Sequence, residues 1–311
     1  MTSRGRGVNA VWLRTGLVVI GLYAVVMVCP DRTVDAWQIF NPKKVALMVF
    51  ALALIQALGE VLRSILGDRR GAIVGGFLAG LVSSTAATAT IARRRSRGHA
   101  DTDRLTFLSA TLAMMFEGLV LVSFGADGLH GSLLILFLGP MALTSVAIWL
   151  LSRKAKGASS GQRAASGIDL VALLKLSVFI VGIISLSKVI QIFAGQSGLL
   201  ILTFVVSLFE IHGSMIANVQ LHDAGTFGVS LLGGLLAVSI AASVISKYGL
   251  VYFLAEPGFR RDVFRYTVAV LVALAVSWSC FMLIEAVLAN RHVGVKSRGE
   301  TRRIVSSGPP F

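Results

Sequence analysis

Residues 72–92 read Ala72-Ile-Val-Gly-Gly-Phe-Leu-Ala-Gly-Leu-Val-Ser-Ser-Thr-Ala-Ala-Thr-Ala-Thr-Ile-Ala92. The run holds no Asp, Glu, Lys or Arg, and a helix needs about 20 mostly apolar residues to cross a bilayer. Lipid offers no partners to open backbone groups, and no series of alternating segments suggests a barrel, so a run of this kind is read as a helix. With it, nine stretches qualify: 11–29, 45–66, 71–92, 105–124, 132–151, 169–193, 198–219, 227–254 and 265–288. The expected fold class is all-α and polytopic, with about nine transmembrane helices.

Composition agrees. Of 311 residues, 55% are hydrophobic and 14% charged, and the mean hydropathy is +0.81. Soluble domains carry about 25% charged residues, so a soluble enzyme, a coiled coil and a disordered chain are excluded. Cys29 and Cys280 sit in or beside apolar runs and form no CxxC pair, which leaves no disulfide framework or redox motif. The net charge of +14 raises nucleic acid as a partner, but the basic residues are spread through short links and a short tail. That distribution suits the lipid bilayer and its anionic headgroups, and no nucleic acid is expected.

Arg4, Arg6 and Arg14 precede the first apolar run as in a signal peptide, yet no small-x-small cleavage site follows, so the run is expected to stay as a leading helix. Nine crossings put 17 Lys and Arg on one side and 9 on the other, with Lys175, Lys188 and Lys247 inside spans. The richer side, which holds the link 93–104 and the C-terminus, is expected to be cytoplasmic, in the cell inner membrane; the basic N-terminus conflicts with lying outside.

Spans two and three resemble spans six and seven at a constant offset of 127 residues. Each pair is a helix, a short link ending in Gly (Gly71, Gly198), then a helix interrupted by polar residues, at Ser83-Ser84-Thr85 in one and Glu210-Ile211-His212 in the other. The expected organisation is a leading helix over 1–29, a four-helix repeat over 30–158, a second over 159–288, and a basic, disordered cytoplasmic tail over 289–311. With three spans between paired members, the repeats are expected to be parallel.

An ionisable group at a helix centre costs about 2.5–3.5 kcal/mol on insertion scales, so each needs a reason. Glu117, Glu210 and His212 are the deepest, and Lys247 lies late in span eight. One reading makes Glu117 or Glu210 the partner of Lys188 or Lys247 in an internal salt bridge. The other makes them line a hydrophilic path with Ser83, Ser84 and Thr85. The hydroxyls of span three can bond back to their own helix carbonyls, or they can mark an unwound segment lining a cavity. In a regular helix Glu210 and His212 point about 200° apart, so sharing a ligand requires a break near Gly213. No HExxH zinc set, P-loop, dinucleotide fingerprint or nucleophile elbow occurs, and Ser83 or Ser84 with His212 lacks an oxyanion signature. No enzyme and no cofactor is expected, and no metal is identified.

Pro30-Asp31-Arg32, Asn41-Pro42-Lys43-Lys44, Leu66-Gly67-Asp68-Arg69-Arg70-Gly71 and above all Gly80-Leu81-Val82-Ser83-Ser84-Thr85-Ala86 with Ile91-Ala92-Arg93-Arg94 resemble the membrane domain of unknown function 4010. The resemblance runs from about residue 20 to 285 and implies an association with MgtC/SapB-type domains, of which no segment is read here. Against the family pattern, Glu117 stands in place of an Arg, Glu210-Ile211-His212-Gly213 in place of Asp-x-Asp-Ala, and Lys247 fits. The exchanged charges read as a coupled set. The function expected is secondary transport or conduction of an ion or small solute, between spans three, four, seven and eight. Glu210 is its cation or proton ligand, Glu117 the partner carboxylate, His212 the pH-responsive neighbour, Lys247 the counter-charge, and Ser83, Ser84 and Thr85 the lining. The competing class is a membrane protein that binds and regulates a partner. A homo-oligomer is compatible with either.

Overall fold

Apolar side chains cover the outside of this protein and polar ones lie within it. Phe193 is 85% exposed and Phe253 83%, whereas Glu117 and Lys247 are each 2% exposed and Thr88, Ser109 and Thr144 are fully buried. An apolar outside suits contact with a bilayer, and the buried polar groups lie among an apolar core. The computed structural model describes residues 3–35, 40–66, 71–93, 100–125, 131–153 and 170–306; expectations for the other residues, including most of the link 94–99 and the last five, lie outside these. The described residues form nine α-helices and no β-strand: α1 (Ser3–Val28), α2 (Pro42–Leu66), α3 (Ala72–Ala92), α4 (Ala100–Gly125), α5 (Gly131–Ser152), α6 (Leu170–Phe209), α7 (Ile211–Asp223), α8 (Val229–Leu254) and α9 (Pro257–Ser306). Seven of them, α2 to α6, α8 and α9, are long and apolar enough to cross a membrane; the apolar part of α1 is shorter, Thr15–Val28.

Length and composition do not say whether such a helix continues across. In α3, Ser83 is extended (φ −168°, ψ 103°) inside an otherwise helical run. The arm before it runs alongside α4: a Cβ on Gly76 would lie 2.7 Å from Thr106 Cα, and one on Gly80 2.6 Å from Ala110 Cα. The arm after Ser83 returns, because Ala79 and Ala87 pack together on Ala110, and Ile91 and Ala92 pack with Ala72 and Leu105. Span three is therefore a hairpin with its tip at Ser83. Its 11-residue first arm is about 16 Å long at 1.5 Å per residue, roughly half of a ~30 Å hydrocarbon layer.

The same happens near Glu210. Gly195 breaks α6 with φ +60°, ψ −150°, a region open to glycine because it lacks a Cβ. A Cβ on Gly198 would lie 3.5 Å from Ile190 O, whereas residues eight apart along a straight helix are about 12 Å apart, so the chain doubles back. The second arm of α6, 196–209, ends at Glu210, again extended (φ −144°, ψ 97°), and α7 then folds back on it. Thr203 Oγ1 donates to Asn218 Oδ1 at 3.4 Å, across a tip that would otherwise separate them by about 22 Å.

The two hairpins enter from opposite faces. Arg104 at the start of α4 pairs with Asp262 at the start of α9, and the adjoining end of α5 packs there; this face also receives both ends of α3. On the other face Lys44, at the start of α2, lies 3.4 Å from Asp223, at the end of α7. Gln191 Nε2 there donates to Thr226 O at 3.2 Å, and Ser132 Oγ to Glu285 Oε1 at 2.7 Å. The expectation of nine successive crossings is corrected at two places: spans three and seven turn back. That changes the direction of every paired element, so the parallel relation expected of the halves does not hold. It also separates the link 93–104 from the C-terminal end of the α9 span, which were expected on one face. The expected boundary at 289 is passed by α9, which continues to Ser306 with no proline between Pro257 and Ser306 to stop it.

Single cysteines in a background without Cys29 and Cys280 test this arrangement. Arg153→Cys and Glu256→Cys should be labelled from one face, and Asp31→Cys and Thr226→Cys from the other; nine crossings would instead group Arg153→Cys with Asp31→Cys. Gly80→Val should push α3 off α4 and destabilise the protein by about 1–3 kcal/mol, as overpacking does, seen as a lowered melting temperature in detergent.

Candidate functional site

A broken helix leaves amide and carbonyl groups without intrahelical partners. Each break here carries its own cap. Ser83 Oγ accepts from Ala86 N at 3.2 Å, and Glu210 Oε1 accepts from His212 N at 3.0 Å and Gly213 N at 3.5 Å. Before the second break, Leu208 O is freed and accepts from Ser246 Oγ of α8 at 2.6 Å. Thr88 and Thr90 bond back to the carbonyls of Ser84 and Ala86, both at 2.8 Å. The hydroxyls of span three thus divide between the two roles expected of them.

The tips of both hairpins share one cavity of about 100 Å³. Ser83, Ser84 and Thr85 line it from the first hairpin, Glu210 and His212 from the second, and Glu117 from α4. Six of the seven expected site residues are therefore brought together. The seventh, Lys247, lies behind the wall: its Nζ donates to Met114 Sδ at 2.7 Å and to Ser243 Oγ at 3.0 Å, and Ser243 faces the cavity.

The carboxylates meet an imidazole rather than a lysine. His212 Nε2 lies 3.3 Å from Glu117 Oε2, and His212 Nδ1 lies 3.4 Å from Glu210 Oε1. This is possible because the break falls at Glu210 itself, not at Gly213; its side chain wraps over the first turn of α7 while His212 projects from it. The salt bridge expected to Lys188 or Lys247 is not formed: Lys188 Nζ instead reaches Gln191 Oε1 at 3.4 Å. Glu117 Oε1 is buried without a hydrogen-bond partner among the described residues, as is Ser207 Oγ, which also lines the cavity. Buried polar atoms are nearly always satisfied, so these two oxygens are open to a partner in the cavity, a water included. No group of three or more His, Cys, Asp or Glu among the described residues has the geometry of a metal site.

Four polar lining residues are absent from the site expected from sequence: Gln56 of α2, Ser207 of the second hairpin, and Ser243 and Ser246 of α8. Ser243 precedes Lys247 by one helical turn, on the same face, and Ser246 is its neighbour in sequence. Gln56 is a lone polar residue inside an apolar run; both were readable as interior signals.

As the N-cap of α7, Glu210 contributes apart from any charge. Glu210→Ala should cost about 0.5–2 kcal/mol, while Glu210→Asp, which can also cap, should retain most of it, as judged by thermal unfolding of the two variants.

One family profile matches the chain, the domain of unknown function DUF4010, over residues 51–255, which takes in both hairpins and every residue of the site. No curated protein and no solved structure matches it.

Proposed function

We propose that this chain, which belongs to the DUF4010 family, is a secondary transporter or channel that passes an ion or small solute through the cavity between its two hairpin tips. The observation that carries the reading is the pair of broken helices whose tips meet at Glu117. Each brings half-helix ends and freed backbone to one mid-depth cavity, and irregular backbone at that depth is tolerated where it lines a cavity.

The two halves support this as an inverted repeat. The offset of 127 carries Ser83 onto Glu210, the two extended and capped break residues. α2, the first hairpin, α4 and α5 correspond to the first arm of α6, the second hairpin, α8 and α9, running in opposite directions. The contacts are reciprocal: α4 packs on α7 as α8 packs on α3, with α5 against α9 between them. In such a layout one hairpin stands between the site and each face, the arrangement alternating access requires. The first arm of α6, α1, α2, α4, α5, α8 and α9 then make seven crossings. A regulator without a transport path would have a dry, fully paired interior, which the unpartnered Glu117 Oε1 argues against.

The orientation we propose keeps the link 93–104 cytoplasmic, as nine crossings also had it, but moves the N-terminus to that side and the C-terminal end of the α9 span to the other. With two hairpins, the N-terminal segment and the links on the α4-start face carry 18 Lys and Arg, against 3 on the other face before residue 288 and 5 beyond it. The positive-inside rule makes the first face cytoplasmic, and the basic N-terminus now agrees with it.

Purified protein in proteoliposomes, screened over labelled cations, anions and small solutes, should show flux above protein-free vesicles. Glu210→Gln, which keeps the cap's shape and loses the charge, should abolish it while the protein still elutes as a folded species. Unchanged flux in that variant would defeat the assignment of the site.

A further inference from the structure

The charges around the cavity do not balance. Glu117 of α4 and Glu210 of the second hairpin are carboxylates, and among the described residues the lysine packed behind the cavity wall is Lys247 of α8, whose ammonium donates to Met114 Sδ and to the cavity-lining Ser243. α2 contributes the neutral Gln56 and α3 the neutral hydroxyls of Ser83 and Thr85. Two negative charges and one positive leave one negative charge uncompensated, which a low-dielectric interior does not tolerate. A single positive charge restores neutrality, and it has two places to sit. One is a proton on His212, held between Glu117 Oε2 at 3.3 Å and Glu210 Oε1 at 3.4 Å. The other is a cation at the unpartnered, buried oxygens of Glu117 and Ser207.

Resting on the transport reading above, we infer that the site exchanges one proton, carried by His212, for one small monovalent cation, held by Glu117 and the surrounding hydroxyls. The ligands on offer are oxygens, the donor type that suits hard cations. The cavity of about 100 Å³ admits an ion with a few waters and is well below the ~300–1,000 Å³ of sites for larger organic molecules. A divalent cation would leave the site with one positive charge too many, and an anion would double the imbalance. When the cation enters from one face, the imidazolium gives its proton to water on that same face. On the other face the cation leaves and His212 takes a proton up. The site is neutral in both loaded forms and charged only when empty, so crossing while empty is disfavoured and the two flows stay coupled.

The test uses the full chain in proteoliposomes that enclose a pH-sensitive dye. Sodium, potassium or lithium chloride is placed inside and choline chloride outside. For at least one of the three cations the lumen should acidify, at a rate independent of an imposed membrane potential. His212→Gln should lose this acidification yet keep self-exchange of the labelled cation, because two carboxylates and one lysine then always require a cation. Glu117→Gln should lose both, since the remaining Glu210 and Lys247 already balance. Should either variant fail to fold, the potential independence of the unmodified protein still decides. Cation flux without proton countermovement, flux that follows the potential, or acidification that survives in His212→Gln would overturn the exchange and leave transport standing. Absence of flux for every ion and solute would overturn both.

Discussion

Everything distinctive in this protein depends on the rule that backbone polar groups in lipid must find partners inside the protein. A helix satisfies it automatically; a helix that stops halfway does not. Two places in this chain stop halfway, and each is made tolerable by a side chain at the stopping point. Ser83 and Glu210 turn into the amides that follow them, and Ser246 reaches a carbonyl left open beside the second break. The residues free to line a cavity are those the caps leave over. Polar chemistry therefore collects at the tips for the same reason the tips can exist.

Packing then fixes how close the tips come. Glycines at 76 and 80 let the first hairpin lie with its backbone against α4, and Glu117, two turns beyond that contact, is carried to the tip. Gly118, beside it, meets Met215 of α7: a Cβ there would lie 3.1 Å from the sulfur. One helix thus presents its carboxylate to both hairpins, and the two carboxylates share His212, each within 3.5 Å, in place of the lysine expected beside them.

The sequence made the class and most of the site legible, and it concealed the topology. Ionisable and hydroxyl groups inside apolar runs are expensive enough to be conspicuous, so Ser83 to Thr85, Glu117, Glu210 and His212 stood out, and six of the seven residues named lie on one cavity. Lys247, expected as counter-charge to a carboxylate, sits on a thioether and a hydroxyl; nothing in a linear sequence shows that Met114 is there to receive it. The hairpins were hidden because a re-entrant segment of two short apolar arms has the length and composition of one spanning helix. The trace they left was the conflict between a basic N-terminus and the side that nine crossings gave it, together with closely spaced glycines on a single arm.

The two hairpins are alike in plan but not in attachment. The first is pressed onto α4 so closely that added methyl groups would collide with the main chain. The second joins the first arm of α6 at the positive-φ Gly195, and its arm 196–209 shows one side to the surroundings, with Ile201 66% and Phe209 79% exposed. The second hairpin therefore has two unlike arms, 196–209 turned outward on one side and α7 buried almost throughout. Two hairpins drawn to one plan thus end in unequal settings, the first pressed along a neighbouring helix and the second with one arm given over to the lipid side.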